Sequence, residues 1–468
     1  MQPRLSRALD MAVAIGRSFW VNLRDVRERG ERIFVVAILF LAASTLCLPV
    51  PPTEEVATLY PWWAERFDIG NILFHEILFI CWLFLYGGGH VLGSLASGGA
   101  AQRAATALTM LALWCGLVSI TAPLPWQDLG RTLRLILNAA CILAFVRWGK
   151  QFGILPLAAW VLGSLAGTLS NLMMSFQYPL IIDGLMRLSG QNTPGVAMGI
   201  AIHLAAWWFH LANRTQTKLL IASASLVFAF ACAISFSRIG WFAGATGLLV
   251  WLYIIYFAKH QFPCRRRQTR KLRTVLTLVF FSMFLLVPTT NIGQAGTDWM
   301  FSLVTQKTSY EGEGDRQRLM YLYGTMEILE ESPLGSGYSG VYDAWMRTAA
   351  SKSPEAPYET SPTEANPHST FLWYATIGGV PALVLSLGLF FSLIGLLRFG
   401  LRMVFGRGGV ILFAMLAASY LVMGLTVPYL LSNLILIFPA AYVLGLGLAL
   451  RKNPCSIVAT RKLDRVMA

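Results

Sequence analysis

Four arginines and one histidine carry the chemistry this chain could do. Arg187 stands in Arg187-Leu188-Ser189-Gly190-Gln191-Asn192 and Arg238 in Ser235-Phe236-Ser237-Arg238-Ile239-Gly240-Trp241. Arg316 and Arg318, one residue apart, lie in a polar stretch from Gly293 to His368 that ends on its only histidine. A guanidinium keeps its charge and presents a fixed fork of donors, which suits it to phosphate. An imidazole titrates near neutrality, so His368 can take a proton from a hydroxyl and pass it on. Each residue also has a plainer reading: a lone interfacial arginine snorkels, and a lone histidine at the start of a span caps it.

What must position these residues is a membrane. The chain has 468 residues, of which 56% are hydrophobic and only 13% charged. A soluble globule of that size has too little interior to hide so much apolar surface. Crossing a hydrocarbon core of about 30 Å takes roughly 20 apolar residues. Twelve such runs occur, at 33–50, 71–92, 104–123, 131–147, 153–173, 194–212, 218–235, 239–258, 274–291, 369–397, 409–430 and 433–450. The expected fold is an all-α polytopic membrane protein of about 12 transmembrane helices, with one large helical loop between spans 9 and 10.

The net charge of +14 does not describe a nucleic-acid surface, because the basic residues sit in alternate loops. Arg4 to Arg32, Lys259 to Arg273, Arg398 to Arg407 and Arg451 to Arg465 all fall on one side of a twelve-span chain, which the positive-inside bias makes the cytoplasm. The expected organisation is a basic amphipathic cytoplasmic segment at 1–32, spans 1–9 over 33–291, an external loop at 292–368, spans 10–12 over 369–450 and a basic cytoplasmic tail at 451–468. The basic segments are expected to meet anionic membrane lipids. The N-terminal segment lacks a small-residue cleavage site and reads as an interfacial helix.

The polar stretch holds nearly half of the chain's 23 acidic residues. Asp315 reads as the N-cap of a helix running to about Glu331, with Leu319, Leu322, Met326 and Leu329 as its apolar stripe. Ser332-Pro333-Leu334-Gly335-Ser336-Gly337 stops it, a second amphipathic stretch covers Tyr338 to Ala350, and an irregular segment runs to Pro367. Too small for a core of its own, the stretch is expected to fold down as a cap on the bundle. Arginines on the outer face of a membrane then point to a lipid pyrophosphate. His75 with Glu76 is the competing site, since an intramembrane carboxylate is costly and requires a partner. The sequence has no Walker loop, Gly-x-Ser-x-Gly or His-Glu-x-x-His, and no Asp-x-Asp in the polar stretch. ATP-driven pumping, serine or zinc hydrolysis, and nucleotide-sugar transfer on a carboxylate-held metal are therefore disfavoured.

Arg318, followed by a helix and then Pro333-Leu334-Gly335-Ser336-Gly337, resembles the signature of the O-antigen ligase and polymerase superfamily. Asn366-Pro367-His368-Ser369-Thr370-Phe371-Leu372 with Gly378-Gly379-Val380, the hairpin Ser237-Arg238-Ile239-Gly240, and Arg187…Gly190…Asn192 are similar to its other elements. Asn366 departs from the pattern by preceding the histidine, and Leu322 stands where an aromatic often occurs. Both Arg316 and Arg318 open the helix, and the spacing to Pro333 favours Arg318. The resemblance implies a glycosyltransferase on the periplasmic face of the bacterial inner membrane, both termini being cytoplasmic. It implies a glycan on undecaprenyl pyrophosphate as donor and a sugar hydroxyl of lipid A–core as acceptor, completing lipopolysaccharide. Arg187, Arg238, Arg318 and Arg316 would bind pyrophosphate and His368 would be the general base, with inversion at the sugar and no metal or cofactor. The alternatives it leaves open are an O-antigen polymerase of the same fold and transfer to protein; outside the superfamily, a transporter of lipid-linked glycan remains.

Overall fold

A computed structural model of the chain describes residues 25–48, 66–67, 72–89, 91, 99–177, 180–182, 185–187, 192–212, 214–235, 238–256, 313–353, 369–426 and 434–452. The ninth expected span, most of the N-terminal segment, the C-terminal tail and His368 lie outside these residues. Helix α1 covers 25–46 and α2 Phe74–Trp82, which continues as a π-helical turn, Leu83–Gly87. Helices α3 (Ala100–Ser119), α4 (Pro125–Phe152), α5 (Leu155–Gln177), α6 (Asn192–Leu211), α7 (Thr215–Ile234) and α8 (Arg238–Tyr256) follow. Beyond them come α9 (Glu313–Glu331), α10 (Val341–Arg347), α11 (Thr370–Phe405), α12 (Gly408–Thr426) and α13 (Leu434–Lys452).

Among the described residues, eight helices are long and apolar enough to cross a membrane, and Phe74–Gly87 and Ile239–Ile255 are shorter apolar helices. The chain is a helical, multi-pass membrane protein. The described elements also include two small antiparallel hairpins, β1 (Arg66–Phe67) with β2 (Ile72–Leu73) and β3 (Leu180–Ile182) with β4 (Leu185–Arg187). The expected external loop at 123–130 is mostly helix: Pro125, whose fixed φ and missing N–H suit a first helical position, starts α4 there.

Helices α6 and α13 form the centre. In them 89% and 83% of the apolar window is buried, against 33–56% in the other six long spans, so those six supply the lipid-facing layer. Helix α13 lies between α4 and α11, with Gly400 of α11 against Val443 and Leu444, and its Phe438 ring stacks on Trp160 of α5 at 4.2 Å and meets Phe145 of α4 edge-on at 5.3 Å. Glycines set the spacing: a Cβ on Gly149 of α4 would strike the backbone of Tyr442 and Leu446, and one on Gly445 of α13 would strike Val146.

The few charges inside the bundle are paired, as hydrocarbon requires. Arg134 of α4 grips Glu76 of α2 with both sides of its fork, Nε to Oε1 at 2.7 Å and Nη2 to Oε2 at 3.1 Å, while Glu76 Oε2 also accepts the Leu73 N–H. Nearer the other end, Arg147 of α4 pairs with Glu31 of α1 at 2.9 Å and donates to the Tyr86 carbonyl at 3.1 Å. These contacts fix α1 and α2 on α4. Replacing Gly445 with valine should separate α4 from α13 and cost about 1–3 kcal/mol by overpacking, seen as a lower thermal midpoint in detergent; an unchanged midpoint would contradict this packing.

Candidate active site

One end of the bundle is defined by a chain of contacts. Ser369, the N-cap of α11, points its hydroxyl at the Gly424 carbonyl near the end of α12 (3.4 Å), and Ser419 of α12 accepts from Thr246 of α8 at 3.3 Å. Gly240 in the first turn of α8 lies against Gly195 in the first turn of α6. The starts of α6, α8 and α11 therefore share one end, and the segment after α9 is bonded to that end.

That bonding exchanges partners between two sequence motifs. Helix α11 is broken at Gly378 (φ −122°, ψ 16°) and Gly379 (φ 66°, ψ −158°), with Pro381 beyond. A break inside a span leaves backbone groups that hydrocarbon cannot satisfy. The turn after α9 supplies the partners: Ser336 N–H donates to the Thr376 carbonyl at 3.1 Å, Gly337 N–H to Ile377 at 2.9 Å, and the Pro333 carbonyl accepts from Val380 N–H at 2.9 Å. Ser336 Oγ also donates to Thr376 O at 2.8 Å, and Trp114 Nε1 of α3 donates to Gly378 O at 2.6 Å. The approach is so close that a Cβ on Gly335 would strike the Ile377 carbonyl and Gly378–Gly379, and one on Gly379 would strike Pro333 and Leu334. Gly335 (φ 96°) and Gly379 (φ 66°) also have backbone angles that side chains disfavour.

The far side of the turn is tied to the α3–α4 hairpin. Tyr338 N–H donates to Ser119 Oγ at 3.2 Å, while Ser339 donates its N–H (3.0 Å) and hydroxyl (2.8 Å) to Asp128 Oδ2. Leu124 N–H donates to Ser339 Oγ at 3.0 Å, and Arg131 lies 5.7 Å over the Tyr338 ring. Burial pushes the Tyr338 phenol well above its ordinary pKa, so it stays neutral.

Helix α9 begins at Glu313, earlier than the expected N-cap Asp315, which lies inside its first turn. The apolar stripe is also corrected. Leu319, Leu322 and Met326 are exposed (44%, 38% and 55%), and the buried side presents Tyr321, Gly324, Thr325 and Ile328. Gly324 lets Trp345 of α10 lie against the helix, and Tyr321 meets that indole at 4.9 Å, so aromatic contact and a missing side chain choose the buried face.

Of the expected site residues, Arg238 is the first residue of α8, Arg187 the last of β4 in register with Leu180, and Arg316 and Arg318 lie near the start of α9. For these four the backbone position alone is described, and His368, one residue before the α11 N-cap, lies outside the described residues. Of the competing pair, Glu76 is held by Arg134, and His75 is buried beside it. Buried His203 of α6 meets Thr246 of α8 at 3.3 Å. Helix α11 is interrupted at Gly378–Gly379, and the loop turn fills its gap. Sequence reasoning missed Asp128, Ser119 and Trp114, whose partners in the turn and in α11 lie more than two hundred residues away.

Residues 223–387 match the protein family described as O-Antigen ligase. That segment contains Arg238, Arg316, Arg318, His368 and both partners of the turn at the α11 break, and the match supports the O-antigen ligase and polymerase superfamily. No curated protein matches the chain. Gly379→Ala should release the turn, giving new protease cleavage between about residues 330 and 340 in intact membranes; an unchanged digest would contradict the docking.

Proposed function

We propose that this protein is an O-antigen ligase, a glycosyltransferase that moves a glycan from undecaprenyl pyrophosphate to a sugar hydroxyl of lipid A–core. The observation that carries this reading is the O-Antigen ligase match over 223–387, which holds together the motifs around Arg238, Arg318, Pro333–Gly337 and His368. Superfamily and membrane-helix content support lipid-linked glycan chemistry of this class. On this reading 1–32 and 451–468 are cytoplasmic, spans 1–9 and 10–12 flank the loop at 292–368, and that loop is periplasmic at the inner membrane.

The donor carries its own leaving group, so no nucleotide is consumed. The acceptor oxygen attacks C1 of the donor sugar, the bond from C1 to the phosphate oxygen breaks, and the acceptor proton passes to His368. Undecaprenyl pyrophosphate leaves, with inversion at C1. Arg187, Arg238 and Arg318, with Arg316 beside it, hold the pyrophosphate and offset the charge that develops on the leaving oxygen, an effect worth most where water is scarce. Cations in the form of guanidinium groups take the place of a metal. Base assistance of this kind contributes about 10²–10⁴ in rate.

The test is a defined mixture of purified protein, undecaprenyl-pyrophosphate glycan and lipid A–core without nucleotide or added metal. Lipid A–core carrying the glycan is the expected product. Longer lipid-linked glycan would instead make the protein the polymerase of this superfamily, and movement of labelled donor with no new bond would make it a transporter. His368→Ala should lose about 10²–10⁴ in kcat while remaining folded, and near-normal transfer would remove the histidine from this role. Arg318→Lys should weaken transfer because a point charge does not reproduce the fork; full activity of that variant would contradict pyrophosphate binding there. Loss of activity in chelator, restored by magnesium, would overturn the metal-free scheme.

A further inference from the structure

We propose that Asp128, outside the matched segment, is a positioning residue for the transfer reaction: it fixes the turn at Tyr338–Ser339 and so sets where α9 and its arginines stand over the bundle. The proposal rests on the reading of the protein as a glycan transferase.

Asp128 is fully buried (0% exposed) in the first turn of α4. A carboxylate taken out of water is costly unless hydrogen-bonded donors surround it. The donors here come from the loop, since Ser339 gives Oδ2 both its N–H and its hydroxyl, across 211 residues of sequence. From its own helix Asp128 has Arg131, whose Nη1 stands 4.0 Å from Oδ1 and whose guanidinium also covers the Tyr338 ring. The position at the N-terminal end of α4 adds the favourable field of the helix dipole. The carboxylate thus has its closest bonds with the loop and not with another span.

The geometry gives those bonds leverage. Residues 333–337 are fixed to the break in α11, and Ser339 is fixed to Asp128 and Leu124, so the turn spans two helices and is held at both ends. Helix α9 enters this turn directly through Ser332, whose N–H donates to Ile328 O at 2.7 Å, and α10 leaves it at Val341. With the Asp128 end released, α10, which leaves the turn there, would lose its anchor, and with it the Trp345 ring that packs on Gly324 and Tyr321 of α9. Displacement of about 1 Å in a reacting group can cost about 10² in rate.

The experiment separates holding from chemistry by replacing the bond with a covalent one. Leu124 N and Ser339 Oγ are 3.0 Å apart, so cysteines at these two positions are the pair in which to form a covalent replacement. Asp128→Ala should lower kcat per folded protein by about 10- to 100-fold, and Ser339→Ala, which keeps the backbone bond, by less. Oxidised Asp128→Ala/Leu124→Cys/Ser339→Cys should regain the rate of the oxidised Leu124→Cys/Ser339→Cys protein and lose it again on reduction. An Asp128→Ala protein with wild-type kcat would overturn the proposal, as would a confirmed disulfide that restores nothing. If Asp128→Ala does not fold, wild-type kcat in Ser339→Ala would overturn it in the same way. The rate of disulfide formation in the Leu124→Cys/Ser339→Cys protein, read by mass spectrometry with and without Asp128, needs no substrate. It should be slower without Asp128, and equal rates would sink the clamp even where the wild type proved to have another reaction.

Discussion

The structure turns on a span that cannot complete its own hydrogen bonds. Gly378 and Gly379 leave the helical path in α11, and Pro381 has no N–H to offer. In hydrocarbon the carbonyls of Thr376, Ile377 and Gly378 and the N–H of Val380 need partners from elsewhere. Three of these four meet Pro333, Ser336 and Gly337, and the fourth meets Trp114. The loop is therefore part of the span. A segment with little core of its own gains a fixed position because a membrane helix is incomplete without it.

The rest of the bundle makes that position stiff. Close glycine contacts between α4 and α13, ring stacking on Phe438 and the paired charges Glu76–Arg134 and Glu31–Arg147 leave α4 little freedom to move. Since α4 carries Asp128 and α11 carries the break, the turn rests on two well-packed helices. The starts of α6, α8 and α11 share the end on which it rests.

Much of this was legible in the residues, and the failures have physical causes. Apolar run length pointed to membrane helices because hydrocarbon thickness fixes it, and eight helices of that length and character occur among the described residues. The helix ending at Pro333 was legible from its stop signals. Its buried face was not, because Leu319, Leu322 and Met326 make the better hydrophobic stripe while Gly324 and Tyr321 make the better fit to Trp345. The Pro-Leu-Gly-Ser-Gly and Gly-Gly-Val-Pro motifs could each be read as a turn or a break, but their mutual completion is a contact across about forty residues that no local pattern encodes. Asp128 was invisible for the same reason, its donors being 211 residues away. Glu76 was easier: a carboxylate within a span demanded a cation, and only the identity of Arg134 had to come from the structure.

The most direct measurement is an experimental structure of the protein with undecaprenyl-pyrophosphate glycan bound. The account predicts pyrophosphate density at the end of the bundle shared by the first turns of α6, α8 and α11, with C1 of the sugar facing His368 and the turn at 333–339 docked on the α11 break. Pyrophosphate bound at the opposite end of the bundle, or a turn detached from α11 in the complex, would contradict it.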